Sequence, residues 1–158
     1  MEPVIVVQRA GPEAFERVGR LTHELLVELY PELGYERDDI VDSARTLLAS
    51  GAGVWSFLAT TQDDRDVGVV TLNECAAIYA GGRFGEISEL YVAPDDRSKN
   101  VGARLIEAAA AFGRTRSWPF IEVGAPNPPA WQRTVDFYLN HGFEEIGPRL
   151  QLTLDRAK

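Results

Sequence analysis

The sequence predicts a mixed α/β fold in which a mostly antiparallel sheet is flanked by helices. Three observations predict it. Helical-period apolar patterns open the chain, at Phe15, Val18, Leu21, Leu25 and Leu29, then at Ile40, Ala44, Leu47 and Leu48. Strand-like runs then follow one another with only turns between them, the mark of antiparallel pairing. Helix and strand patterns interleave only afterwards, so the sheet is mixed rather than doubly wound and parallel. A chain of 158 residues is expected to form one domain, 1–158, with a full core and no need of disulfides or metal.

The elements follow in order. Val4 to Val7 is a short apolar strand. Gly11-Pro12-Glu13 starts the first helix, with proline near its first position and an acid in its first turn, and Pro31 ends it. Asp38-Asp39 is expected to cap the second helix, and Gly51 to follow its end. Val54 to Thr60 and Val67 to Leu72 read as strands joined by a polar turn at Gln62 to Asp66. A third strand runs from Phe84 to Val92, between the Gly81-Gly82 turn and Pro94-Asp95-Asp96. A helix runs from Asn100 to about Thr115, and a short strand from Pro119 to Val123. Pro128-Pro129 precedes a last helix, in which Trp131, Val135, Tyr138 and Leu139 share a face and Gly142 is the stop. Phe143 to Ile146 and Leu150 to Leu154 are expected to close the chain as a hairpin around Gly147-Pro148.

Composition excludes several functions. With a net charge of −8, the chain lacks the broad basic surface that a nucleic acid partner needs. Its single cysteine, Cys75, forms no internal disulfide, fits a reducing compartment and, lying in an apolar stretch, reads as core filler. The first residues lack a basic, then apolar, leader pattern, and no apolar run approaches the roughly 20 residues of a membrane span. A cytoplasmic location without membrane association is expected. No His, Cys, Asp or Glu spacing suggests a metal site. His23 and His141 read as structural or exposed, and the acids Glu36, Asp38, Asp39 and Asp42 as a solvated helix flank.

One segment reverses the acidic trend. Arg97-Ser98-Lys99-Asn100-Val101-Gly102-Ala103 leaves a strand and enters a helix. Unpaired N–H groups and the positive end of the helix dipole make such a terminus an anion site, and Arg97 and Lys99 add charge. The chain has neither Gly-x-x-x-x-Gly-Lys-(Ser/Thr) nor Gly-x-Gly-x-x-Gly after a strand, so a nucleotide fold of either kind is disfavoured.

Glu86 to Ala103, together with Phe137-Tyr138-Leu139-Asn140-His141-Gly142-Phe143, resembles the GNAT superfamily of acetyl-CoA-dependent N-acetyltransferases. The family loop (Gln/Arg)-x-x-Gly-x-(Gly/Ala) reads here Arg97-x-x-Asn100-x-Gly102, after the lead-in Leu90-Tyr91-Val92-x-Pro94. The element order matches as well, so the resemblance spans essentially the whole chain. Asn100 replaces the loop's first glycine; among residues with a side chain, asparagine best tolerates the left-handed region. Trp131 and Thr134 stand where many relatives carry Asn-x-x-Ala, and Asn127 lies near but off register.

The resemblance implies an acyl donor, acetyl-CoA, and an amine acceptor on a small molecule or peptide. Backbone N–H groups of Arg97, Ser98, Lys99, Asn100, Val101, Gly102 and Ala103 would bind the coenzyme A diphosphate. The pantetheine arm would pair with the strand at Leu90, Tyr91 and Val92, where the N–H of Leu90 or Tyr91 would polarise the thioester carbonyl. Glu86 is favoured over Glu89 as general base. Regular strand alternation sets the two on opposite faces, unless a bulge intervenes. Tyr138 is expected to protonate the leaving thiolate. A homodimer is a further expectation, since exposed sheet edges invite pairing. A non-catalytic coenzyme-A-binding or regulatory module on the same fold is the alternative.

Overall fold

The computed structural model describes residues 4–125 and 131–154. Its elements are β1 (Ile5–Ala10), α1 (Phe15–Leu29), α2 (Arg37–Ser50), β2 (Val54–Thr61), β3 (Asp66–Ala77), β4 (Gly82–Val92), α3 (Val101–Thr115), β5 (Ile121–Val123) and α4 (Gln132–Asn140). The mixed α/β class and the mostly antiparallel sheet are as the sequence predicts. Sheet order is β1-β2-β3-β4-β5; the first four strands pair antiparallel and β5 lies parallel to β4. The chain divides into two compact units, one ending at Val123 and one beginning at Gly124. Among the described residues, no helix is long and apolar enough to cross a membrane.

The first unit packs helices on both faces of its sheet. On one face, Val18 and Leu21 of α1 meet Leu58, Val69 and Tyr91, with Leu25, Ala44 and Leu48 behind them. On the other, α3 buries Val101, Leu105 and Ala109, and its Phe112 ring lies 4.8 Å from Trp55 and 5.6 Å from Phe57. Gly68 makes the second packing possible. A Cβ there would sit 3.0 Å from Leu105 Cδ1 and 3.0 Å from the Tyr91 carbonyl oxygen. The missing side chain lets the N-terminal half of α3 settle against the strands that carry the site.

Three expectations need correction. Asp38 and Asp39 lie in the first turn of α2 rather than capping it; Glu36 is the N-cap residue and makes no side-chain capping bond. There the two acids favour the positive helix end without replacing its missing acceptors. The closing hairpin is not formed: residues 143–154 carry no strand, and Leu150, Leu152 and Leu154 are exposed. Alternation marks which side of a strand would be apolar, but only a paired neighbour makes it a strand. Cys75 is half-buried rather than core filler. The start of α4 at Gln132 places Trp131 at its N-cap; Asn127 and Pro128-Pro129 lie outside the described residues.

The loop between β4 and α3 is pinned from beneath. Asp96 is 1 % exposed and accepts from Arg65 Nη1 at 2.9 Å and Nη2 at 3.3 Å. Lys99 Nζ lies 3.5 Å from the same carboxylate. The hydrogen bonds from Arg65, then its charge and that of Lys99, hold the Asp96 carboxyl below the usual carboxylate range.

Two consequences are measurable. Gly68→Val forces Leu105 and the α3 backbone outward and should cost about 1–3 kcal/mol in urea unfolding; unchanged stability would contradict the close approach. The ionised Asp96 stabilises the fold fully above its unfolded-state pKa, about 3.9, and this contribution disappears as pH falls through its lower folded value. Asp96→Asn should therefore lower stability near pH 7 and flatten the acid side of the stability profile. A variant whose profile keeps the wild-type acid limb would contradict the pairing.

Candidate active site

A single extra residue in β4 sets the direction of the candidate groups. Thr71 of β3 stands opposite Glu89, but its neighbour Leu72 stands opposite Ile87, so Ser88 has no partner on β3. This is a β-bulge. Before it, a Cβ on Gly85 would meet the Trp118 ring on the α3 side, so Glu86 faces the other way. After it, Tyr91 lies in the α1 core, and Glu89 shares that face. Glu86 and Glu89 therefore sit on one face of the sheet, not on the opposite faces that regular alternation implies. Asn73 Nδ2 donates to Ser88 Oγ at 2.8 Å and, more weakly, to Glu86 Oε1 at 3.4 Å.

The two carboxylates differ electrostatically. Burial and then the nearby charge of Glu86 push the Glu89 carboxyl above its ordinary value. Glu122 of β5 stands opposite Glu86, and Tyr79 Oη donates to its Oε1 at 3.2 Å. Tyr91 is pushed up to about 12 by burial and by Glu24 and Glu28 of α1. This side of the sheet is acidic.

The edge of β4 opens beside these groups. Its pairing with β5 covers only Gly85, Glu86 and Ile87. From Ser88 to Val92, among the described residues, β4 has a ladder on the β3 side alone. The N–H of Ala93 donates to Val67 O at 2.9 Å, which fixes its direction toward β3. Successive residues alternate in direction, so Tyr91 points its backbone groups to β3, while Leu90 and Val92 point theirs to the open side. The outward carbonyl of Val92 accepts from Arg97 Nε at 2.9 Å.

The loop behaves as its sequence suggests in backbone and differs in side chains. Asn100 has φ 64° and Ser98 φ 67°, both left-handed. The first helical bond runs from Arg104 N–H to Asn100 O at 3.0 Å, so the N–H groups of Val101, Gly102 and Ala103 precede any helical acceptor. These groups lie at the positive end of α3. The two cations are committed elsewhere: Arg97 to Glu28, through Nη1 at 3.0 Å and Nη2 at 2.7 Å, and Lys99 to Asp96.

Tyr138 belongs to the second unit. Its side chain is buried, its ring centroid is 5.2 Å from that of Phe143, and burial pushes its phenol up to about 12. Sequence reasoning missed Asn73, Thr71 and Glu28. Asn73 and Thr71 were visible as polar residues within an apolar strand, whereas nothing near Glu28 in sequence indicates its partner.

Comparison with known proteins follows from this geometry. An acetyltransferase (GNAT) domain matches residues 54–145. A possible acetyltransferase from Clostridium difficile 630 superposes with TM-score 0.79 at 14% identity, covering 97% of this chain and 99% of its own. The aminoglycoside N-acetyltransferase AAC(6')-Iy, in complex with CoA, gives TM-score 0.75 at 16% identity, with 99% and 98% covered. A ribosomal-protein-alanine N-acetyltransferase from Brucella melitensis biovar Abortus 2308 gives 0.70 at 19%, with 94% and 99% covered. These likenesses concern the fold. No curated protein matches the sequence. The matched segment contains the bulged strand, the loop and the aromatic helix, and the chain belongs to the GNAT acetyltransferase family.

Proposed function

We propose that the protein transfers an acetyl group from acetyl-CoA to a primary amine. The observation that carries this reading is the open edge of β4. It presents the Leu90 N–H outward, with Glu89 and Glu86 turned to one face beside it. Acetyl-CoA would supply an activated thioester. The residues present fit it: the row of N–H groups from Ser98 to Ala103 suits a diphosphate, and the unpaired edge suits an amide-bearing arm. Since Arg97 and Lys99 are already paired, backbone donors rather than side-chain cations carry the phosphate contact.

Of the two N–H groups that the sequence leaves open for the oxyanion, direction selects Leu90. Tyr91's points into the ladder with β3. A fixed donor at the oxygen that gains charge contributes on the order of 2.7–4 kcal/mol in comparable sites.

The acceptor amine must lose a proton, and a free alkyl ammonium has a pKa near 10.4. Glu89 serves as general base, directly or through water. The sequence favours Glu86 for this role, but we favour Glu89, because burial raises its pKa and narrows the gap to the amine. Glu86 holds that pKa up by its charge and is itself steadied by Asn73. Tyr138 has a weaker acid role than its position in the family pattern implies. Burial pushes its phenol up to about 12, which makes full proton transfer to the leaving thiolate less favourable. It is better suited to donating a hydrogen bond to the sulfur while solvent supplies the proton. The acidic side of the sheet favours cationic acceptors, and the structural neighbours named for aminoglycosides and for a ribosomal-protein alanine are consistent with amine acceptors.

The test follows release of the coenzyme A thiol from acetyl-CoA over a panel of amines. Glu89→Gln should lower turnover about 10²–10⁴-fold and abolish the acid limb of the pH–rate profile. Activity rises with pH as Glu89 loses its proton. Glu86→Gln removes a repelling charge, so it should shift that limb to lower pH with a smaller loss. No thiol release with any amine would contradict the transferase reading; an unaltered profile in Glu89→Gln would contradict the base assignment.

A further inference from the structure

We propose that Glu28 is a positioning residue for the loop Arg97–Ala103, acting through Arg97; the role rests on the acyltransferase reading above. Glu28 and Arg97 are 69 positions apart. The carboxylate accepts both ends of the guanidinium fork, at 3.0 Å and 2.7 Å. The same guanidinium donates Nε to the Val92 carbonyl at 2.9 Å and lies 5.6 Å from the Tyr91 ring centroid. Three of the five N–H donors of Arg97 are thus engaged inside the protein, one on each nitrogen.

The connections join the parts that the site needs in register. Val92 ends β4, and Arg97 directly follows the 3-10 turn Pro94–Asp96. One side chain therefore ties the end of the open edge to the start of the loop. Glu28 lies on α1, which is seated on the sheet by Val18 and Leu21 and joined to the start of β3 by Arg17 and Arg20 on Asp66. The anchor is mounted on a firmly packed element. Exposed ion pairs are individually weak, but a bidentate pair coupled to a backbone carbonyl and a ring is the geometry in which they count.

The arrangement predicts a sign that a direct role does not. If Arg97 gripped the diphosphate itself, removing Glu28 would free the cation, and coenzyme A would bind as well or better. If Arg97 positions the loop, removing Glu28 loosens it, and coenzyme A binds worse.

The experiment uses the full chain and the variants Glu28→Gln, Arg97→Gln and the double. Hydrogen exchange of segment 92–103 is measured without ligand, and coenzyme A affinity by calorimetry. Glu28→Gln should speed exchange in that segment and raise the coenzyme A Kd about fivefold. Arg97→Gln should do the same, and the double variant should be no worse than either single one. The KM for acetyl-CoA should rise with kcat nearly unchanged. Equal or tighter coenzyme A binding by Glu28→Gln, or unchanged exchange, overturns the role while wild-type binding stands. A wild-type protein that binds no coenzyme A overturns the acyltransferase reading, and this role with it.

Discussion

Ser88 stands opposite no residue of β3, and the groups of the candidate site take their directions from that insertion. Remove it in thought, and Glu86 and Glu89 fall on opposite faces of the sheet. The bulge puts both carboxylates on the side of α1, keeps Tyr91 in the α1 core, and leaves the Leu90 N–H pointing outward. It is held by Asn73, whose amide reaches Ser88 Oγ at 2.8 Å. A bulge disrupts the ladder locally. Here the disruption falls where β5 stops pairing, so one irregularity aims the side chains and the neighbouring strand end exposes the backbone beside them.

Charge is arranged in two layers. The face that carries Glu86, Glu89 and Glu122 is acidic, and burial, then the charge of Glu86, raises the Glu89 carboxyl above its ordinary value. The loop looks basic in sequence, yet Arg97 and Lys99 are answered by Glu28 and Asp96. At the start of α3, after the left-handed Ser98 and Asn100, the N–H groups of Val101, Gly102 and Ala103 precede any helical acceptor, and on the proposed reading they take the diphosphate. Fixed backbone donors need no reorganisation when charge arrives, which suits a diphosphate that must be held in one place. Asp96 and Glu28 stabilise the loop from two sides by contacts with different elements.

Features governed by local chemistry were legible in the sequence. The strand Phe84–Val92 and the helix after Asn100 follow from periodicity and turn residues. Asn100 in the left-handed region follows from the tolerance of asparagine for it, and the structure has φ 64° there. Features governed by pairing were not legible. The bulge is a relation between Thr71, Leu72 and β4, so alternation along one strand could raise it only as an exception. Arg97 could be read as a free cation because its partner lies on α1, far away in sequence. Leu150, Leu152 and Leu154 carry a strand-like alternation, but the pattern supplies no partner strand. The raised Glu89 depends on burial under a sheet face, a property of the assembled layers.

The most direct test of the account is a crystal structure with a non-hydrolysable acetyl-coenzyme A analogue. The distance from its acyl carbonyl oxygen to the backbone nitrogens of β4 is the decisive reading. The account predicts that oxygen about 2.7–3.1 Å from the Leu90 nitrogen, with the diphosphate on the N–H groups of Ser98 to Ala103. A carbonyl placed away from Leu90, or a diphosphate held by the Arg97 guanidinium after it has left Glu28, would contradict it.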